Sequence, residues 1–491
     1  MTDQTFTIDG DWNGLYLDGE WVEASDGETI AVENPATREE IAEVPAATEA
    51  DVDRAYETAA EAQDSWSERS VDERVSVIEE AIEILDDRRD DILEALAVES
   101  GSANAKAFAE WQTAQGMCHH AKSLAGKMDE VETSDSMIPG KENEVQRVPE
   151  GVVGIISPWN FPFNLSVRAV APALATGNAV VLKPASSTPI TGGLLIARIF
   201  EEAGLPDGVL NVVTGHGSEI GDRVAGHPEL DVMAFTGSTE VGKHVAAQAA
   251  ENLALPAMEL GGNNPFVVTE EADVDAAVDS AVFGSFLHQG QICISINRHL
   301  VHESLYDEYV EQLAERAAEL PIGDPREREN VVGPIIDEDQ RDQILEYVEE
   351  TVEQGATLET GGDHDDLFVE PTVLSDATND MAAACNEHFG PVAPVIPFSS
   401  EDEAIEMAND TEHGLAAAIH GGDLDHAKSI AERIDAGMVH INDQPVNEEP
   451  SVPFGGMKAS GIGRYDGEEI LHELTQTKWI STQTEKRDYP F

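Results

Sequence analysis

Apolar and polar residues follow two regimes along the chain. Between residue 50 and about residue 101, Val52, Ala55, Ala59, Val71, Val75, Ile78, Ile82, Leu85, Ile92 and Leu96 recur at the spacing of one helix face. This predicts a helical N-terminal layer. From residue 151 the pattern changes. Short β-branched runs (VVGIIS, AVVL, VLNVV, DVMAF) alternate with helical stretches at 168–176, 190–203, 218–226 and 239–250. Such alternation predicts a parallel sheet with covering helices, a doubly wound α/β layer. A second set begins at PFVV (265–268) and runs through HLVH, PTVL, APVIPF, LAAAIH and GMVHIN, with acidic amphipathic helices between. It predicts a second α/β domain. The polar stretch 130–149, interrupted by Pro139 and Gly140, separates the helical layer from the first of these strands and reads as an excursion from the main body.

A length of 491 residues exceeds what one compact core holds and suits two to four domains, and a hydrophobic share of 41% is enough for a sizeable interior. Charge narrows the partners. With 97 acidic residues against 28 basic ones, the formal charge is -69, which opposes phosphate backbones and anionic membrane surfaces. Neither nucleic acid nor a membrane is an expected partner. The acids are scattered through every segment rather than gathered in a tail, which points to adaptation to high salt, where a Debye length of ~3 Å at 1 M screens the self-repulsion. A halophilic cytoplasm is the expected setting; the plainer reading is an acidic mesophilic protein. Three cysteines, Cys118, Cys293 and Cys385, cannot form a disulfide framework, and the odd count argues against an oxidising compartment. The opening MTDQTFTIDGDWN has no basic and apolar leader pattern, and no run of about 18 apolar residues occurs. Export and membrane spanning are not expected.

Candidate chemistry begins with Cys293 in HQGQICIS (288–295), where Gly290 permits a turn that exposes the sulfur. A lone cysteine is more often buried and inert, and Cys118 and Cys385 are expected to be so. Cys118 beside His119 and His120 lacks the spacing of a zinc site, so no metal is expected. In MELGGNNP (258–265), Glu259 precedes Gly261 and Gly262; close backbone approach there would desolvate the acid and raise it towards general-base range. PWNFP (158–162) follows the strand VVGIIS at the end where open α/β sheets place ligands, and Asn160 is a rigid amide donor suited to an oxyanion. FTGSTEVG (235–242) passes from strand to helix with Gly237 and Gly242, a candidate pyrophosphate cradle. KPAS (183–186) sets Lys183 at another strand end. Each has a plainer reading: a solvated acid, a turn asparagine, a strand-to-helix turn, a surface lysine.

Taken in order, PWNFP at 158, KPAS at 183, FTGS at 235, MELGG at 258, GQIC at 290, EHFGP at 387 and PFGGMKASGIGR at 453 resemble the aldehyde dehydrogenase superfamily over essentially the whole chain. FLHQGQICIS and INDQPVNEEPSVPFGG look like its benzaldehyde, salicylaldehyde and vanillin dehydrogenase branch. The resemblance implies a Rossmann-like cofactor domain (1–130 and 150–261), an α/β catalytic domain (262–462) and a small β oligomerisation element (131–149 and 475–491), assembled as a homodimer or homotetramer. It implies oxidation of a small-molecule aldehyde to the acid through a thiohemiacetal and thioester on Cys293. Asn160 and the Cys293 N–H would hold the oxyanion, and Glu259 would activate water. The cofactor contacts it implies are Trp159, Lys183, Ser186, Gly237, Ser238, Glu387 and Phe389. Many strictly NAD-using members have glutamate where this chain has Ser186, so the electrostatic barrier to a 2′-phosphate is missing and either NAD or NADP is expected. On the substrate side the resemblance points to Phe161, Arg168 and Phe454. Arg168 occupies a position that is aromatic in many aliphatic-aldehyde enzymes; it would bind a semialdehyde carboxylate or form a structural ion pair. An aromatic aldehyde is the favoured substrate, with an aliphatic aldehyde or sugar-derived semialdehyde as the alternative. Transfer of the thioester to coenzyme A is disfavoured by Glu259, and a retired scaffold by the intact cysteine, asparagine, glutamate and lysine.

Overall fold

The computed structural model describes residues 7–8 and 10–491. Residues 1–6 and 9, part of the opening stretch from which the lack of a leader was expected, lie outside them.

The N-terminal layer is helical as its periodicity predicts: Glu49–Ser67, Val71–Asp87, Arg89–Glu99 and the long helix Asn104–Lys127. The first two start at reciprocal caps, Thr48 with Asp51 and Ser70 with Glu73, each satisfying backbone N–H groups that a helix start leaves free.

The first sheet has eight strands, in the order Glu20–Val22, Leu15–Leu17, Leu210–Val212, Ala179–Lys183, Val152–Ile156, Val232–Thr236, Leu255–Glu259 and Gly461–Ile462. Its five central strands are parallel. Strand order runs outward from Val152–Ile156 in one direction, through residues 179 and 210, and then reverses to residues 232 and 255 on the other side. This reversal is a topological switch point, and the crevice beyond the carboxyl ends of the two strands is where an open α/β sheet binds ligands. The loop 157–161 and residues Gly237 and Ser238 emerge there. Val52, Ala55, Tyr56, Met233 and Met258 pack together in one apolar cluster, and Trp66, Ile78, Leu85, Val153 and Val170 in another.

The second sheet runs Thr357–Thr360, Thr372–Ser375, Val392–Phe398, Ile296–His302, Asn264–Val268, Ala416–His420 and Met438–Ile441. All but the first are parallel. The polar excursion forms strands Val131–Asp135 and Lys141–Pro149, and the latter pairs antiparallel with Thr475–Gln483, from Thr475 opposite Pro149 to Gln483 opposite Lys141. Val131–Asp135 is exposed along its whole length.

Two features were not expected from the sequence. Leu15–Leu17 and Glu20–Val22 extend the first sheet on one side. On the other, Gly461–Ile462, from the stretch assigned to the second domain, pairs antiparallel with Met258 and Glu259. Among the described residues no helix is long and apolar enough to cross a membrane.

Candidate functional site

Cys293 lies between the turn Leu287–Gly290 and strand Ile296–His302. Gly290 takes φ +70, as the sequence suggests, and a Cβ there would stand 2.1 Å from the Gly390 carbonyl oxygen. Its two predecessors, His288 at φ 50 and Gln289 at φ 57, are also left-handed although neither is glycine. Each such residue costs on the order of 1–3 kcal/mol and persists only where the surroundings hold it. The restraints are visible. Gln289 Nε2 donates to the Pro334 carbonyl at 2.7 Å, Ile336 N–H to Gln291 Oε1 at 3.0 Å, and Asn264 Nδ2 to the carbonyls of Cys293 and Ser295 at 2.8 and 2.7 Å. Gly262 lets this loop approach, since a Cβ on it would fall 2.5 Å from the Cys293 carbonyl oxygen.

Asn160 comes from the switch-point strand Val152–Ile156 by way of the loop that enters helix Pro162–Ala175. The amide is buried, and its Nδ2 donates to the Gln291 carbonyl at 2.9 Å, leaving the second N–H of the same nitrogen for another acceptor. The first turn of that helix is anchored from the N-terminal layer. Glu110 Oε1 accepts the N–H groups of Phe163 and Asn164 at 2.9 and 3.2 Å, while its other oxygen pairs at 2.5 Å with Lys106, whose ammonium sits 4.2 Å above the Phe161 ring. Both charged side chains are fully buried.

Asn160, Glu259 and Cys293 line one cleft of about 310 Å³, together with Trp159, Arg168, Gly237, Ser238, Glu387, Phe389 and Phe454. A second, narrower lobe of about 110 Å³ shares Asn160, Cys293 and Phe454 with it and adds Phe161 among mainly apolar walls. Lys183 and Ser186 line neither space. Lys183 ends the neighbouring parallel strand, where its buried ammonium donates one hydrogen bond, to the Pro184 carbonyl at 3.1 Å, and burial brings it down to about 8. Ser238 caps the helix Thr239–Glu251 through its hydroxyl, and Gly237 N–H donates to the Glu259 carbonyl. Trp159 and Phe389 meet edge to face at 5.5 Å. Glu387 Oε1 accepts from Gly262 N–H at 3.0 Å, and Gly261 leaves room for its other oxygen, which a Cβ would approach to 2.4 Å.

The electrostatics separate the acids from the thiol. Burial pushes the Glu259 carboxyl up to about 8, with Arg168 and Arg464 pulling the other way and Glu448 adding to the rise. Neither Glu259 oxygen has a hydrogen-bond partner among the described residues. Burial pushes the Cys293 thiol up to about 12, Glu387 adds to this, and Arg168 opposes it. The resting sulfur is therefore a thiol, and it keeps part of its surface open to the cleft. Glu387 is raised by burial to about 7.

Arg168 does not extend freely into the cleft. Nη1 pairs with Glu448 Oε1 at 2.9 Å, Nη2 donates to Thr236 Oγ1 at 3.3 Å, and the guanidinium stacks 4.9 and 4.6 Å from the rings of Phe454 and Tyr465. Burial works against its charge, but Glu448, Asp466 and Glu259 outweigh that and hold the group ionised. Asn164 Nδ2 donates to the second Glu448 oxygen at 2.6 Å.

Glu448, Asn164, Lys106 and Glu110 escaped the sequence reading. The four-residue spacing of Lys106 and Glu110 on a helix in a chain poor in lysine was a usable signal; Glu448, in a loop among other acids, offered none. One expectation is corrected. Cys385, expected to be buried, is exposed at the end of the short helix Ala382–Cys385. The single turn buries its three alanines and ends at Cys385, where the chain has already reached solvent. Cys118 is buried, as expected.

A thiol on a restrained turn, an amide beside it and a desolvated carboxyl, facing one crevice at a sheet switch point, describe an enzyme that works on carbonyl carbon. The chain belongs to the aldehyde dehydrogenase family, whose model matches residues 21–480, and is thus an oxidoreductase. It is 47% identical to a vanillin dehydrogenase of Corynebacterium glutamicum, over 94% of this chain and 96% of that one. To a benzaldehyde dehydrogenase of Bacillus subtilis it is 43% identical, over 98% and 99%. Its fold matches the crystal structure of betaine aldehyde dehydrogenase from Staphylococcus aureus in complex with NAD+, with a TM-score of 0.94 and 35% identity, over 98% of this chain and 96% of that one.

Proposed function

We propose that this protein oxidises an aromatic aldehyde to its carboxylic acid with NAD or NADP, through a thioester on Cys293. The observation that carries the reading is that Cys293 and Asn160 border both the wide cleft and the narrow apolar lobe. A carbonyl carbon at their junction has room for a ring on one side and a dinucleotide on the other. The named relatives act on ring aldehydes, and Phe161 and Phe454 supply flat apolar walls for one.

The wide cleft suits a dinucleotide. The N-terminus of Thr239–Glu251 offers backbone N–H groups for pyrophosphate, Gly237 borders the cleft beside it without a side chain, and Lys183 has ammonium hydrogens left for ribose hydroxyls. Ser186, Trp159, Ser238, Glu387 and Phe389 complete the proposed contacts. When bound, the dinucleotide supplies the acceptor for the hydride that leaves the substrate carbon. The chain's own residues do the rest. Cys293 attacks the aldehyde carbon, and its thiol proton is lost to Glu259 or to water as the S–C bond forms. The free Nδ2–H of Asn160 and the Cys293 N–H, which donates to nothing else among the described residues, hold the resulting oxyanion. Glu259, once ionised, takes a proton from the water that cleaves the thioester.

The Glu448 pairing of Arg168 disfavours a semialdehyde carboxylate, since Nη1 and Nη2 are already engaged and a carboxylate there would meet Glu448. The three-stranded sheet, with Trp479 and Val131 exposed, supports assembly as a homodimer or homotetramer, and the composition supports a salty cytoplasm. The test is a panel of benzaldehyde, vanillin, acetaldehyde and succinic and 2-oxoglutaric semialdehydes, in molar KCl, with each coenzyme. Turnover of the ring aldehydes is expected to dominate; a semialdehyde or acetaldehyde preferred over both ring substrates overturns the reading. Cys293→Ala is expected to abolish turnover while coenzyme still binds.

A further inference from the structure

The narrow lobe has one charged side chain among the described residues lining it. Glu448 stands there among Phe161, Leu287, Ile292, Val446 and Phe454, with 15% of its side chain exposed. Its position is well determined, because Arg168 Nη1 holds Oε1 at 2.9 Å and Asn164 Nδ2 holds Oε2 at 2.6 Å. A carboxylate has about four acceptor sites, and these bonds use two of them. Since a carboxylate only accepts, the Asn164 amide must turn its nitrogen to Glu448. That leaves Asn164 Oδ1, also buried, with no donor among the described residues. Around Glu448 the wall of the lobe thus presents spare acceptors, while the free donors noted above, the second Nδ2–H of Asn160 and the Cys293 N–H, belong to the residues proposed to hold the aldehyde oxygen.

We infer that Glu448 accepts a hydrogen bond from a ring hydroxyl, and that the preferred substrates are aromatic aldehydes bearing a phenolic OH. This rests on the aromatic reading above. The guanidinium of Arg168 balances the carboxylate, so the pair as a whole selects for neither sign of charge. A carboxylate on the substrate meets like charge at Glu448 and finds the arginine occupied. A cationic group meets Arg168 within hydrogen-bond reach of the same acid. A hydroxyl, which is neutral and donates, suits the site, and in an apolar lobe it gains most from a charged acceptor.

The test compares kcat/KM for hydroxy- and methoxybenzaldehydes substituted at the same ring position. At a pH low enough to keep the phenol protonated the two substituents have similar electronic effects, and only the hydroxyl donates. In the wild type the hydroxyl compound is expected to exceed the methoxy compound by about tenfold or more at one ring position, the usual size for a hydrogen bond to a charged group. In Glu448→Gln that ratio is expected to collapse towards one, whatever common factor the substitution imposes on every substrate. A smaller ratio at every position, or a ratio that survives in Glu448→Gln, overturns the inference. If the variant does not fold, inhibition of the wild type by hydroxybenzoates against methoxybenzoates reads the same preference, and equal inhibition constants overturn it. Benzaldehyde separates the two levels: turnover of benzaldehyde with no hydroxyl preference leaves the aromatic reading standing and removes only the role of Glu448, whereas no turnover of any ring aldehyde removes both.

Discussion

Asn160 donates from its side-chain nitrogen to the Gln291 carbonyl at 2.9 Å, tying the loop after the switch-point strand to the loop two residues ahead of the Cys293 thiol. The amide that would steady the oxyanion is therefore oriented before substrate arrives. Asn160→Ala is expected to lower kcat by ~10²–10³, the usual loss for one oxyanion donor. Steady-state kinetics check it, with coenzyme affinity measured alongside; a loss confined to KM would assign Asn160 to binding alone.

Glu259 carries the pH dependence. With its carboxyl raised to about 8, it is mostly protonated at neutral pH and becomes a base as the pH rises. Thioester hydrolysis is expected to accelerate as pH approaches about 8 and to level off above it, because only the ionised form accepts a proton from water. In Glu259→Gln this rising limb should vanish and acyl-enzyme should accumulate. Burst kinetics across pH, read at 340 nm, distinguish these outcomes.

At the proposed ribose contact, Ser186 supplies no acid to repel a 2′-phosphate. NAD and NADP are expected to differ in kcat/KM by less than about 100-fold, and Ser186→Glu should depress NADP use more than NAD use through like-charge repulsion. A wild-type preference for NAD beyond that margin would show that another group excludes the phosphate.

Trp479 is 65% exposed on Thr475–Gln483, one edge strand of the three-stranded sheet, with Lys141–Pro149 in the middle and Val131–Asp135 at the other edge. An exposed aromatic on an open edge strand fits the proposed assembly contact. Trp479→Glu is expected to shift the protein towards monomer in light scattering with size exclusion, leaving the far-ultraviolet circular dichroism unchanged. An assembly of unaltered mass would move the interface elsewhere.

The formal charge of -69 sets the salt response. Thermal midpoint and activity are expected to rise as KCl increases from millimolar to molar, with most of the gain complete once the Debye length falls to ~3 Å. Equal midpoints at both extremes would mean the acids are spaced widely enough not to repel.

Local signals carried much of the architecture into the sequence. The β-branched runs near residues 152, 180 and 232 and the glycines at 237, 262 and 290 are dictated by their own neighbours, so pattern and backbone geometry are enough to find them. Asn160, Glu259 and Cys293 each lie near such a glycine or proline signal, but alone each had a plainer reading, and it was the ordered set of motifs, in its resemblance to the family, that singled them out. What stayed hidden depends on distant partners. Glu448 meets Arg168 across 280 residues, and Glu110 caps a helix more than 50 residues away. Nothing in the letters around Glu448 distinguishes it among the 97 acids of the chain, and the spacing of Glu110 from Lys106 hints at a pair but not at the helix it caps. Likewise His288 and Gln289 adopt left-handed backbone only because Pro334, Ile336 and Asn264 grip the turn around them.

The short strand at 461–462 lies against the end of the strand that delivers Glu259. Prising the two halves of the molecule apart would strip that strand from its neighbour and drag the base out of its setting. The seam between the two sheets and the setting of Glu259 are thus one and the same piece of structure.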